Sequence, residues 1–157
     1  MSTEIPKFAC DAMLGSLSRW LRAAGYDSFW QEGIDDGELV LLSQREDRIL
    51  ISCDTGIFKR GLVRDGVVSS LQLPNSLGTQ EQLQRVMEHF QLFVREPRCM
   101  ACSGEIREVP KELVQDKVPE RTYERIDQFW QCTQCEQPFW QGTHWTAISE
   151  VLDSFTQ

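Results

Sequence analysis

Over roughly the first ninety residues, short apolar runs alternate with stretches of helical periodicity, and the alternation stops after the segment FVREPRC. KFAC reads as a strand. In AMLGSLSRWLRAAG, Leu14, Leu17, Leu21 and Ala24 recur at spacings of three and four, which predicts one apolar helix stripe ended by Gly25. YDSFW, RILIS and GVVSSLQL read as further strands, DDGELVLLSQRED as a second helix, and TGIFKRG as a short helical turn. A last helix is expected from about Thr79 to Phe90, opened by a capping box of Thr79 and Gln82.

Strands alternating with helices imply right-handed crossovers and a mostly parallel sheet. The predicted class is therefore α/β, a doubly wound sheet of about four parallel strands in the order 2-1-3-4. That order puts strands one and three side by side at the topological switch point, where ligands of open α/β sheets bind. The expected division is an α/β domain over 1–94 and a smaller module over 95–157, closed by an amphipathic helix, HWTAISEVLDSF, that packs back.

Charge and composition narrow the function. The net charge is -8, and neither 1–95 (10 Lys/Arg against 13 Asp/Glu) nor 96–157 (6 against 11) is basic. A simple electrostatic grip on nucleic acid is thus disfavoured, and a polyanion has to be met by a local patch or through bound cations. No apolar run reaches the roughly 20 residues of a membrane span, and MSTEIPKF lacks the apolar core of a signal peptide. The expected location is cytoplasmic, with no membrane partner.

CMAC and CTQC supply two Cys-x2-Cys pairs, Cys99/Cys102 and Cys132/Cys135, with 29 residues between them. Two such knuckles complete a tetrahedron of thiolates around Zn²⁺, and the long separation suits a zinc ribbon whose knuckles are joined by strands. Four thiolates leave no open position, so this zinc is structural. Disulfides are the alternative and do not suit a cytosolic chain. Cys10 and Cys53 each end a buried strand and read as small packing residues.

Asp11 and Asp54 follow those two strand ends. Each alone reads as the N-cap of the next helix. Together they converge at the switch point, where paired carboxylates repel unless a proton or a cation such as Mg²⁺ or Mn²⁺ intervenes. A third carboxylate comes from IDDGEL: Asp35 as N-cap, with Glu38 completing a capping box and Ile34 and Leu39 a staple, leaves Asp36 free to face the strand ends. Asp27, Asp47 and Asp65 read as solvated. Arg19 and Arg22, three apart on the first helix, share a face that could meet phosphates or could be solvated or salt-bridged. Lys59 and Arg60 stand in the same balance. Trp20 reads as core and His89 as structural.

The blocks FACDAMLGSLSRWLRAAGYDS, DDGELVLLSQREDRILISCD, PRCMACSGEI and VPERTYERIDQFWQCTQCEQPFWQGTHW, in that order, resemble the Mut-seven carboxy-terminal ribonuclease domain family. The resemblance spans nearly the whole chain. It implies a PIN-like nuclease fold followed by a zinc ribbon, with Asp11, Asp36 and Asp54 matching the acidic positions that hold the catalytic metal. It also implies metal-assisted hydrolysis of RNA phosphodiester bonds. One departure stands out: the family's third block usually reads Thr-Arg-Asp, and here it is Ser52-Cys53-Asp54, which keeps the hydroxyl and removes a guanidinium. His144, in the GTHW block, matches the family as a packing, hydrogen-bonding or catalytic residue.

Two other functions compete. A phosphorelay receiver needs an acidic pair after strand one and a Lys after strand five, neither of which is present. A non-catalytic RNA- or ribosome-associated module, docking on RNA or protein through its ribbon, is the alternative that the altered Ser-Cys-Asp block favours.

Overall fold

The computed structural model describes residues 4–155, so residues 1–3 of the polar amino-terminal segment lie outside the described residues. Four parallel strands form the main sheet: β1 (Phe8–Cys10), β2 (Ser28–Phe29), β3 (Ile49–Ser52) and β4 (Ser70–Gln72), in the expected order β2-β1-β3-β4. Alternation along β1 and β3 splits two cores. Phe8, Cys10 and Ile51 face the helices α1 (Gly15–Ala23) and α4 (Thr79–His89), while Ala9 and Leu50 face α2 (Asp36–Arg45) and α3 (Gly61–Arg64). Burial on both faces explains why these central strands read as continuous apolar runs.

Leu14, Leu17, Leu21 and Ala24 are all buried, as their spacing predicts. Fully burying a leucine side chain contributes about 2 kcal/mol. The helix ends in a Schellman motif, Gly25 N–H to Arg22 O (3.0 Å) and Tyr26 N–H to Leu21 O (2.9 Å), with Gly25 at φ 99°. Trp20 packs against this core, and His89 lies edge-on to Phe90 with ring centroids 4.7 Å apart.

The opening of α4 differs from expectation. Thr79 is inside the helix, Gly78 is the N-cap, and no side chain caps it; the Gln82 amide donates instead to Leu77 O at 3.3 Å.

Beyond residue 95, three antiparallel strands, β5 (Ile106–Val109), β6 (Phe129–Cys132) and β7 (Pro138–Phe139), form the ribbon. The segment between β5 and β6 holds a 3-10 stretch (Lys111–Lys117) and a short helix α5 (Glu120–Arg125), punctuated by Pro110 and Pro119. The final helix α6 (Thr143–Ser154) packs back as expected, and Ile148 and Leu152 belong to the same core as Leu17 and Leu21. Among the described residues no helix is long and apolar enough to cross a membrane.

Asp27 is not solvated. It takes hydrogen bonds from Arg48 (3.1 Å) and from the Ser103 hydroxyl (2.9 Å), tying β2 to β3 and to the ribbon's first knuckle. Burial pushes its carboxyl up, but Arg48 and Ser103 outweigh this and hold it below the ordinary carboxylate range. A depressed carboxyl stabilises the fold above its unfolded-state pKa and stops doing so as pH falls through the folded-state value. Asp27→Asn is therefore expected to cost about 1 kcal/mol in urea unfolding at neutral pH, a modest figure for a partly exposed pair. The difference from wild type should shrink below about pH 4; a gap that persists there would contradict the assignment.

Candidate functional site

The parallel register pairs Cys10 with Ile51, so the next residues, Asp11 and Ser52, meet at the carboxyl edge of the sheet. Asp11 is buried and its two oxygens are both engaged, one by the Met13 N–H at 2.7 Å and the other by the Ser52 hydroxyl. The same Ser52 oxygen accepts the Asp54 N–H at 2.9 Å, and Asp54 accepts the Gly56 N–H at 2.9 Å. One hydroxyl thus couples the two aspartates.

Helix capping does not account for either of them. Leu14 is the N-cap of α1 and Gly56 that of the 3-10 turn Ile57–Lys59, neither with a side-chain cap. Asp35, by contrast, does cap α2, accepting the Gly37 N–H at 3.0 Å.

This leaves Asp36 in the first turn of α2, half-buried and facing the same edge. Its carboxyl is held above the usual range first by burial, then by the negative charge of Asp54, with the charge of Asp11 adding to the effect. Arg60 opposes the shift. The Arg60 guanidinium lies over the first turn of α2, with Nη1 3.3 Å from where a side chain on Gly37 would begin. Sequence reasoning left Arg60 undecided, because its position depends on how the chain folds back after β3.

Cys53 is half-buried, packs against the α1/α4 core, and its thiol lies 3.8 Å from Pro74 O. Burial and then the nearby Asp11 charge push that thiol up. Cys10 is a buried free thiol beside Ser28, pushed up to about 12 chiefly by burial. No disulfide joins them.

The two basic residues of α1 part company. Arg19 is exposed, whereas Arg22 is 5% exposed and already committed, Nε to Ser28 O (2.9 Å) and Nη1 to Met100 O (2.8 Å). The pair does not act as one phosphate clamp. Residue 22 lies on the helix face that the ribbon covers, and a helical wheel of the isolated segment cannot show that.

Cys99, Cys102, Cys132 and Cys135 bring their sulfurs within 4.8 Å of one another, the one group of this kind found among the described residues. The Cys99–Cys135 and Cys102–Cys132 separations are 3.6 and 3.4 Å. Sulfurs about 2.3 Å from a tetrahedral zinc lie about 3.8 Å apart, so the all-thiol donor set fits that ion in both spacing and softness.

Burial opposes ionisation of Cys132, but the N–H groups of Cys135 and Gln134 point at its sulfur and, with the neighbouring thiols, draw it down to about 7. Burial pushes Cys99 up to about 12. Metal binding therefore has to displace the proton that burial favours on Cys99. The aspartates do not form a second group this tight.

A doubly wound α/β domain with an acidic carboxyl edge, carrying a four-cysteine ribbon, is the class that these features define. The model of the Mut7-C RNAse domain matches residues 6–152, nearly the whole chain, and the chain belongs to that family. The match points to an RNase-type role with RNA as the substrate class. A comparison with curated proteins finds no match.

The purified chain is expected to hold a single zinc, measured by plasma mass spectrometry, and Cys132→Ser should lose it together with several degrees of thermal stability. Unchanged melting in a metal-free preparation would contradict a structural metal.

Proposed function

We propose that the chain is a metal-dependent ribonuclease with a PIN-like site, acting in the cytoplasm. The single observation that carries the reading is the convergence of Asp11, Asp36 and Asp54 on one sheet edge, with Asp36 raised first by burial and then by its acidic neighbours. Three carboxylates so placed, with Ser52 bonded to the carboxylate of Asp11 and to the backbone N–H of Asp54, are suited to a hard divalent ion such as Mg²⁺ or Mn²⁺. Asp11, Asp36 and Asp54 would hold it, and such an ion supplies an activated water and stabilises charge on the leaving oxygen.

The chain's own residues do the rest. Ser52 and the Met13 N–H fix Asp11 in one orientation. Asp54 is exposed and reaches incoming phosphate or water. Arg60 offsets the negative charge at Asp36 and supplies a guanidinium to the site, a role that position 53 lacks here. On this reading residues 1–94 carry the chemistry, and 95–157 carry a zinc-stabilised ribbon that contributes to substrate binding.

The second reading, a non-catalytic RNA- or ribosome-associated module, is favoured by Cys53 alone. Hydrolysis of a mixed RNA panel with Mn²⁺ or Mg²⁺ separates the two. The ribonuclease reading predicts cleavage that falls at least a hundredfold in Asp11→Asn and Asp54→Asn, and about tenfold in Arg60→Ala, a loss comparable to removing one electrostatic stabiliser. RNA binding without cleavage of any substrate would favour the docking module, and cleavage untouched in both aspartate variants would remove the site.

A further inference from the structure

A cavity of about 720 Å³ lies between the ribbon and the α/β body, bordered by α6. The β5–β6–β7 register puts Glu108, Trp130 and Phe139 side by side on one ribbon face, and that face lines the cavity. Its opposite face carries Phe129, fully buried and stacked with Tyr123 at 6.3 Å. Trp130 and Phe139 are only half-buried, as are Trp140 and Trp145 on the same cavity. Trp140 lies edge-on to Phe129, with ring centroids 6.1 Å apart, and Trp145 packs against the α1/α4 core, yet all four half-buried rings keep part of their surface on the cavity.

The Trp140 platform is close-fitted: a Cβ on Gly142 would come within 3.0 Å of its Nε1. His144 stands exposed on the same wall, in the first turn of α6.

A second cavity, of about 380 Å³, runs along the start of α1 past Met13, Gly15 and Trp30. The two share Arg19, Met100 and Ala101 as lining residues, so they adjoin beside α1. The track therefore leads from the aromatic wall, past Arg19, to Met13, whose N–H binds the Asp11 carboxylate. Among the described residues the Arg19 guanidinium has no ion pair or hydrogen bond, and Arg98 spends its Nε on Ser103 O at 2.7 Å. Glu96 and Glu108 also line the larger cavity, so charge alone gives it little hold on a polyanion.

We propose that this cleft is a base-stacking site for single-stranded RNA, with Trp140 and the Trp130–Phe139 face as platforms and Arg19 guiding the backbone toward Asp11. The proposal rests on the ribonuclease reading for the identity of the polymer. Aromatic faces accept any base, and they do so only when the base is unpaired. Affinity should accordingly come mainly from stacking, with a shallow salt dependence because few phosphates are neutralised. It also supplies what the acidic composition withholds: a hold on RNA that does not need a basic surface.

The test is anisotropy of a short labelled oligouridylate titrated with the zinc-loaded full chain, without added Mg²⁺ or Mn²⁺, so that binding is read apart from cleavage. Trp140→Leu should weaken binding about tenfold. Arg19→Ala, an exposed side chain with no evident part in folding, should reduce the slope of log affinity against log salt by about 0.7. Zinc content and melting temperature should match wild type in both, and duplex RNA of the same length should bind more weakly. Binding equal to wild type in both variants would overturn the proposal, as would equal affinity for duplex and single strand or no RNA binding at all, the result expected if the cleft takes a protein segment. Variant-sensitive binding with no cleavage under any metal upholds the cleft and removes the ribonuclease reading. Cleavage with variant-insensitive binding does the reverse.

Discussion

Arg22 holds the two parts of the molecule in one arrangement. Its guanidinium donates to Ser28 O on the edge strand β2 and to Met100 O in the first cysteine knuckle, while its own carbonyl accepts the Arg98 N–H at 2.8 Å. Burial lowers its pKa, and the Cys10, Cys102 and Cys99 thiols and Asp27 act in the opposite direction. Four thiolates around a zinc carry net negative charge, so metal binding would strengthen the hold of this buried cation. A buried guanidinium left without such partners would be costly. The knuckle and the helix therefore depend on each other.

The same junction protects an edge. β2 is the outer strand of the sheet, and its Ser28 N–H donates to the Ser103 hydroxyl at 2.9 Å, where Asp27 and Arg48 join the network. Tyr26 adds a bond to Phe93 O at 2.7 Å. An exposed strand edge would invite pairing with another chain. Here it is covered by the segment that carries the cysteines, and that covering forms the wall of the aromatic cleft. The ribbon cleft and the acidic sheet edge are thereby held on either side of α1.

Much of this was legible in the chain because the signals are local. The Leu14–Leu17–Leu21 stripe, the strand endings at Asp11 and Asp54, the Asp35 cap and the two Cys-x2-Cys pairs each depend on residues close in sequence. The sheet order then followed from connection rules. What the sequence leaves open or misplaces concerns mostly long-range partners, with one local exception at the start of α4. From sequence, Arg22 stays open between a phosphate contact and a solvated or salt-bridged face, because its partners, Ser28 and Met100, lie across the fold. Asp27 read as solvated because Arg48 and Ser103 are distant in sequence. Thr79 read as an N-cap because composition cannot choose between it and Gly78, and the backbone bond from Gln82 N–H to Gly78 O decides the matter. The cleft was invisible for a similar reason: which face of β6 is buried depends on what packs against it.

The account stands on the claim that the aspartates at the sheet edge are a cation site and not a set of turn caps. Titration of Mn²⁺ into the zinc-loaded chain, followed by the electron paramagnetic resonance of free Mn²⁺, tests this without any substrate. Wild type is expected to take up Mn²⁺ while its cysteine-bound zinc stays in place, and Asp11→Asn and Asp54→Asn should each weaken uptake by tenfold or more, since removal of a charged ligand is not made good by its neighbours. Uptake equal to wild type in both variants, or no uptake by the wild-type chain, would contradict the account.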